Sequence, residues 1–565
     1  MSHSRPPLRR ALVLSAGLLL AVAGAAVTAP AAAAAPPGPP PVEVQLLALN
    51  DFHGNLEPPG GSGGTVAGVP AGGMEYLATQ LDLLAAEVRK PSTLTVAAGD
   101  LIGASPLLSA AFHDEPTIEA LGAAGLDLAS VGNHEFDEGA AELLRIQNGG
   151  CHPVDGCADP AAPYEGAEFQ YLSANAFVTD TGRPLLPPYA IKRVEGVQVG
   201  FIGMTLEATP HIVTQTGVAG LEFTDEIETA NRYAAELQAR GVESIVVLLH
   251  EGGSQTAGIN DCTGLTGPIV DIAGGFADSI DVVVSGHTHQ AYNCVIDDKI
   301  VTSAGSFGRL VTDIDLSIDR TTGDVLRATA ENIIVTRDVA KAPAQTALIE
   351  RYRTLLGPIA GRQVGLTSAA ITRSQETLFG TFRGESSLGN LIADAQLAAS
   401  DDEQGSVAAF MNPGGVRADL DAGPVSYEEA FTVQPFNNTL TTLDLTGADL
   451  QCLLEQQFVT GRTLAPSASV AYTVDPNGTS GPAADPCVGT RVPDGSVTVG
   501  GAPVTSAQTY RITVNTFLAD GGDGFSVLLR GTDRVVGGLD IDALVDFLPD
   551  DTATAPPATD RITVA

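Results

Sequence analysis

The stretch "DVVVSGHTHQ", Asp281 to Gln290, sets two histidines two apart directly behind a run of valines. The valines read as a buried strand, so His287 and His289 fall just past its C-terminal end. The chain has only nine histidines in 565 residues, so such a pair is not a product of composition. The same arrangement recurs upstream. "LALNDFHG" ends in Asp51 and His53, "TVAAGD" in Asp100, "ASVGNHE" in Asn133 and His134, and "VVLLHEGG" carries His250. Five of the nine histidines therefore follow predicted strands.

Between these strands lie helical stretches such as "MEYLATQLDLLAAEVRK" and "TDEIETANRYAAELQARG". Alternating strands and helices predict an α/β fold, a largely parallel sheet with helices on its faces. In such a sheet the C-terminal strand ends converge on one crevice. Period-two alternation would send Asp51 and His53 to one side, and likewise His287 and His289. Imidazole, carboxylate and amide donors together suit two borderline divalent ions, Zn²⁺ or Mn²⁺. "KIVTSAGSFGRLVTDIDLSIDRTTGDVLRATAENIIV" predicts an antiparallel meander closing this domain.

"AQTALIERYRTLL", 344–356, has helical spacing and is ended by "GPIAG", which predicts a connecting helix. Beyond it, helices ("SLGNLIADAQLAA") mix with strands ("TLTTLDLTG", "TYRITVNTFLA"), an α+β pattern. The divisions expected are 42–337, 338–361 for the connecting helix, and 362–550. The terminal "PDDTATAPPATD" reads as frayed.

A net charge of −38 and a pI near 4.3 argue against a polyanion binder, so no nucleic-acid polymer is expected as partner. Residues 1–35 read as an export signal running into a proline-rich linker, with Arg5, Arg9 and Arg10 ahead of a short apolar run. The Arg9–Arg10 pair leaves twin-arginine export open. Secretion without a transmembrane anchor in the mature chain is the expectation, with residence outside the cell or in its envelope. Six cysteines in an exported chain imply disulfides. Fifteen connectivities are available, and the order favours Cys151–Cys157, Cys262–Cys294 and Cys452–Cys487. His3, His113, His152 and His211 fit no constellation.

In this order, "NDFHG", "AAGD", "GNHEFD", "LLHEGG" and "SGHTH" resemble the calcineurin-like dimetal phosphoesterases. The later segments resemble their 5′-nucleotidase, UDP-sugar hydrolase and 2′,3′-cyclic-nucleotide phosphodiesterase subfamily. The resemblance covers nearly the whole mature chain. It implies an N-terminal α-β-β-α sandwich, a connecting helix and a C-terminal α+β substrate-binding domain. One metal would take Asp51, His53 and His289, the other Asn133, His250 and His287, with Asp100 bridging both. The resemblance places His134 beside the substrate phosphate, oriented by Asp137, and implies attack by a metal-activated water. In the second domain, "ESSLGNLIADA" and "FMNPGGVRADL" carry the likeness, with "NPGG" departing from the commoner "NGGG". They place Arg383, Asn412 and Arg417 near the substrate. "VQPFNN" offers Phe436, and "NTFLADGGDGF" offers Phe517 and Asp523. Two such rings can stack on any nucleobase, and Asp523 can accept from ribose hydroxyls.

The function implied is release of phosphate from nucleoside 5′-monophosphates. UDP-sugar hydrolysis and 2′,3′-cyclic-nucleotide 2′-phosphodiesterase activity are the alternatives within the enzyme class. A nucleotide-binding surface protein is the alternative outside it. Oligomeric state and native metal are not legible in the sequence.

Overall fold

The computed structural model describes residues 39–87, 92–213, 216–436, 438–549 and 551–565. The export-signal reading of 1–35 lies outside the described residues.

The strand Val42–Leu49 decides the architecture of the first half. Val44, Leu46 and Ala48 enter one apolar cluster while Leu47 and Leu49 enter another, so both faces are buried. It pairs in parallel with Thr93–Ala98, which continues in parallel to Leu126–Ser130 and Gln170–Leu172. On its other side Leu310–Ile318 and Val325–Ile334 add antiparallel strands, completing six. A second six-stranded sheet has a parallel centre of Val197–Thr205, Ser244–His250, Val282–Ser285 and Lys299–Ala304. Tyr189–Val194 and Ala291–Ile296 form its antiparallel edges.

The facing sheets share one core, in which Leu46, Val96 and Ile314 of the first meet Phe201, Leu248 and Val284 of the second. The outer face of the first sheet packs on helices Met74–Glu87, Glu115–Ala123 and Pro343–Ala360. That of the second packs on Glu226–Ala239 and Pro268–Gly275. Helix, sheet, sheet and helix make four layers. Two sheets thus replace the single sheet that strand–helix alternation alone suggested. The expected meander is divided accordingly: its first strand, Lys299–Ala304, lies in the second sheet beside Val282–Ser285, and its last two strands close the first.

The helix Pro343–Ala360 runs four residues beyond its expected end, through Gly357 and Pro358. Ala360 is buried and Ile359 packs on the core, so tertiary contact holds the last turn that proline weakens.

The second half holds a five-stranded sheet: Ala465–Pro466, Ala408–Met411, Thr509–Asn515, Thr439–Thr446 and Thr532–Leu539. Helices Ser387–Ala398, Gly447–Thr460 and Asp540–Phe547 pack around it, an α+β arrangement. "TFLA" forms the helical turn Thr516–Ala519, capped by Asn515, instead of prolonging the strand. The stretch read as frayed is tied down: Thr554 N–H donates to Leu366 O (2.7 Å) and Asn390 Nδ2 donates to Ala558 O (3.0 Å), and the chain beyond it continues as a strand. Ile562–Val564 pairs in parallel with Val470–Val474, and Arg561 is ion-paired to Asp394. All three sequential disulfides are formed, Cys151–Cys157, Cys262–Cys294 and Cys452–Cys487.

Candidate metal centre

Asp51, Asp100 and Asn133 follow parallel strands of the first sheet, and His250 and His287 end or follow parallel strands of the second. Both sets therefore meet at one edge of the sandwich. The side chains are delivered by left-handed turns, not by strand alternation. Asp51, His53, Asp100, His287 and His289 hold φ of 51°, 48°, 48°, 69° and 54°. Each costs a non-glycine residue about 1–2 kcal/mol. Five of the seven candidate ligands hold this uncommon conformation, so the fold imposes the geometry of the site.

The glycines beside them allow close backbone approach. A Cβ at Gly132 would sit 2.1 Å from Asp100 Oδ1, and one at Gly99 would sit 2.7 Å from His250 Nδ1.

The donor atoms form linked groups. Those of Asp51, His53 and His289 lie within 4.8 Å of one another, as do those of Asp100, His250 and His287. Asp100 Oδ2 is 2.9 Å from His250 Nε2 and 3.7 Å from His53 Nε2, so its carboxylate stands between the groups. His287 Nδ1 lies 3.0 Å from Asn133 Oδ1. All seven candidate ligands thus come together.

Hydrogen bonds fix the imidazole tautomers. A backbone carbonyl only accepts, so His53 Nδ1 donates to Gly103 O (2.8 Å) and His250 Nδ1 to Ala98 O (2.8 Å). Their Nε2 atoms face inward. His53 Nε2 meets His289 Nε2 at 3.0 Å, and His250 Nε2 is buried against Asp100 Oδ2 at 2.9 Å. Outer hydrogen bonds of this kind orient metal-binding imidazoles. Burial opposes charge on His250, but the Asp100 carboxylate prevails and raises it to about 9. Burial, reinforced by the charge on His250, lowers His287 to about 4. Burial would raise Asp100 and Asp51; the neighbouring histidines outweigh it and hold both below the usual carboxylate range. Inward lone pairs and ionised carboxylates call for cations, so this donor set fits two divalent ions.

His134 lies at the margin. Its Nδ1 is 2.7 Å from Asp137 Oδ2, its backbone N–H donates to Asp100 Oδ1 (2.9 Å), and its side chain is 24% exposed. Burial resists its charge, but Asp137 and then Asp100 raise it to about 10.

Sequence reasoning missed three contributors. Glu135 accepts from the backbone N–H groups of Asp100 (3.0 Å), Leu101 (2.9 Å) and Gly132, tying two site loops together. Asn50 donates to Asp51 Oδ2 (2.5 Å) and Gly305 O (2.7 Å). Phe307 sets its ring edge-on to both His53 and His289. Glu135 and Asn50 adjoin singled-out residues within their motifs, whereas Phe307 carries no local signal.

A second cluster gathers in the C-terminal half. Asn412 Nδ2 donates to Asp523 Oδ2 (2.8 Å), and Asn515 Nδ2 to Asn412 Oδ1 (2.9 Å). The Arg417 guanidinium lies 5.7 Å from the centroid of Phe436. Phe436 and Phe517 are 48% and 46% exposed, so each presents part of its surface to solvent. Thr516 Oγ1 donates to Thr439 O (2.7 Å), joining the feet of their two loops. Arg383 is exposed, and Thr463 Oγ1 donates to its carbonyl (2.6 Å). None of these six predicted residues is hydrogen-bonded or ion-paired to the seven candidate ligands.

Residues 44–291 match the family model for calcineurin-like phosphoesterases, which use a dinuclear metal centre. Residues 364–530 match the model for the 5′-nucleotidase C-terminal domain. The chain belongs to the 5′-nucleotidase family of calcineurin-like phosphoesterases, a family of hydrolases. It is 34% identical over 517 residues to endonuclease YhcR of Bacillus subtilis, covering 90% of this chain and 40% of that protein. It is 31% identical to cell wall protein Lmo0130 of Listeria monocytogenes over 91% of this chain and 68% of that one. The crystal structure of a 5′-nucleotidase precursor from Thermus thermophilus matches with a TM-score of 0.56 at 27% identity. That match covers 93% of this chain and 99% of the other.

Proposed function

We propose that the protein is an exported phosphohydrolase that releases phosphate from nucleoside 5′-monophosphates. The observation that carries this reading is the Asp100 carboxylate between a histidine–carboxylate group (Asp51, His53, His289) and a histidine–amide group (Asn133, His250, His287), with His134 and Asp137 beside it. In it, Asp51, His53 and His289 would hold one ion, Asn133, His250 and His287 the other, and Asp100 would serve both. A dimetal centre supplies Lewis-acid neutralisation of phosphoryl oxygens and lowers the pKa of a water nucleophile. Zn²⁺ or Mn²⁺ suits the mixed donors.

The chain's own residues do the rest. His134, kept protonated by Asp137, offers a proton where charge develops on the leaving oxygen. Phe436 and Phe517 stack on the base, and Asp523 accepts from the ribose. Asn412 and Arg417 contact the substrate as donors. Arg383, exposed and without a carboxylate partner among the described residues, offers a further bidentate contact to an anion.

Export is supported by three disulfides and by the cell-wall designation of the Listeria relative. No described helix is long and apolar enough to cross a membrane. The Bacillus relative is named an endonuclease, but a net charge of −38 favours small nucleotides over polymers here.

The test is phosphate release by the purified chain from AMP, a UDP-sugar, a 2′,3′-cyclic nucleotide and a DNA duplex. Fastest turnover is expected on AMP. A higher kcat/KM on any other member would replace this substrate assignment.

A further inference from the structure

Arg462 was not singled out by any motif, yet it sits on the carboxylate assigned to the ribose. The helix Gly447–Thr460 ends at Gly461, whose φ of 70° suits glycine and turns the chain sharply. Thr460 Oγ1 accepts from Arg462 N–H (3.2 Å), so the residue leaves the helix in a fixed direction. Its Nε lies 3.1 Å from Asp523 Oδ1, and its Nη1 donates to Asp523 O at 3.3 Å. Asn412 holds the other carboxylate oxygen at 2.8 Å. Asp523 itself has φ of 55°, a conformation with little local support.

Both oxygens of Asp523 are therefore aligned from outside its own loop. Each keeps a second acceptor site, which is what two neighbouring hydroxyls need. The side chain of Asp523 is 12% exposed and that of Arg462 49%, so a planar guanidinium closes over a mostly buried carboxylate. It also offsets the Asp523 carboxylate charge that a phosphate-bearing ligand would meet at this subsite of an acidic chain.

We propose that Arg462 is a positioning residue that makes Asp523 a reader of the vicinal ribose diol. The site then prefers ribonucleotides to their 2′-deoxy counterparts. This rests on the assignment of Asp523 to the ribose.

The experiment measures kcat and KM of the full chain on AMP, dAMP and p-nitrophenyl phosphate. The variants are Arg462→Ala, Arg462→Lys, Asp523→Ala and the double alanine variant. Arg462→Ala is expected to raise KM for AMP about tenfold with kcat retained, and to shrink the AMP-over-dAMP preference. Lysine should restore part of that preference, since one ammonium replaces the Oδ1 contact but not the fork. The double variant should be no worse than Asp523→Ala, because two residues acting as one unit are not additive. Retained AMP preference in Arg462→Ala, or losses that multiply in the double variant, would overturn the proposal. So would an equal loss on p-nitrophenyl phosphate, which reports a general structural defect. If Asp523→Ala itself keeps the wild-type preference, the ribose assignment fails first and takes this proposal with it.

Discussion

His134 Nδ1 lies 2.7 Å from Asp137 Oδ2, three residues along the chain, while the backbone N–H of His134 holds Asp100 Oδ1. The imidazole and the main chain thus do separate work. Alanine at position 134 removes the ring and keeps the backbone contact to Asp100. His134→Ala is expected to lower kcat by about 10²–10⁴-fold while metal content stays at the wild-type level. Metal analysis of the purified variant checks this, and loss of an ion would reassign His134 as a ligand.

Asp100 contacts the two groups of donors through one carboxylate. Asp100→Asn removes the charge that both groups share, so both ions should be lost over the same range of chelator concentration. Loss of one ion alone in a chelator titration would show that Asp100 serves a single site.

The exposed rings of Phe436 and Phe517 lie on adjoining loops. Phe436→Ala or Phe517→Ala should cost about 1–3 kcal/mol of base binding per stacked contact. The loss should appear in KM for AMP, with p-nitrophenyl phosphate hydrolysis unchanged. Equal losses on both substrates would mean that the rings support the fold.

Asp540 anchors the foot of the Phe436 loop: its backbone N–H donates to Asn438 O (2.8 Å), and Asn438 Nδ2 donates to its carboxylate (3.3 Å). Burial raises this carboxyl from 3.8 to about 7 against those hydrogen bonds. Because the folded-state value is raised, its contribution to stability is full below about pH 4 and is lost as pH rises through about 7. Asp540→Asn keeps an acceptor and never ionises. Its Tm relative to wild type should climb between pH 5 and pH 8, by an amount on the order of 1–3 kcal/mol in stability. A Tm difference that is flat over that range would contradict the burial argument.

Much of this was legible because histidine is scarce and each placement follows a strand. The runs before Asp100, His250 and His287 are apolar on both faces, as buried parallel strands must be. Their division into two sheets was implied by the resemblance, whose α-β-β-α sandwich is borne out, but not by the strand pattern, because alternation records that Leu310–Ile318 and Ala291–Ile296 are strands but not which neighbours they pair with. Glu135 also escaped notice, since its role depends on backbone N–H groups from loops more than thirty residues apart in the chain. The left-handed turns at Asp51 and His53 also escaped notice: positive φ is uncommon for any non-glycine residue, even aspartate and histidine, and here the fold imposes it. Pro358 and the tail strand Ile562–Val564 went the same way, with packing overriding local signals.

The most direct test of the account is a joint measurement of bound metal and phosphate release from AMP. The purified chain is stripped with chelator and titrated with Zn²⁺, and in parallel with Mn²⁺. The account predicts two ions per chain at saturation with at least one of these metals, and phosphate release that recovers only as the second ion binds. Full AMP turnover by the stripped or singly loaded chain would contradict it. So would a doubly loaded chain that releases no phosphate from AMP.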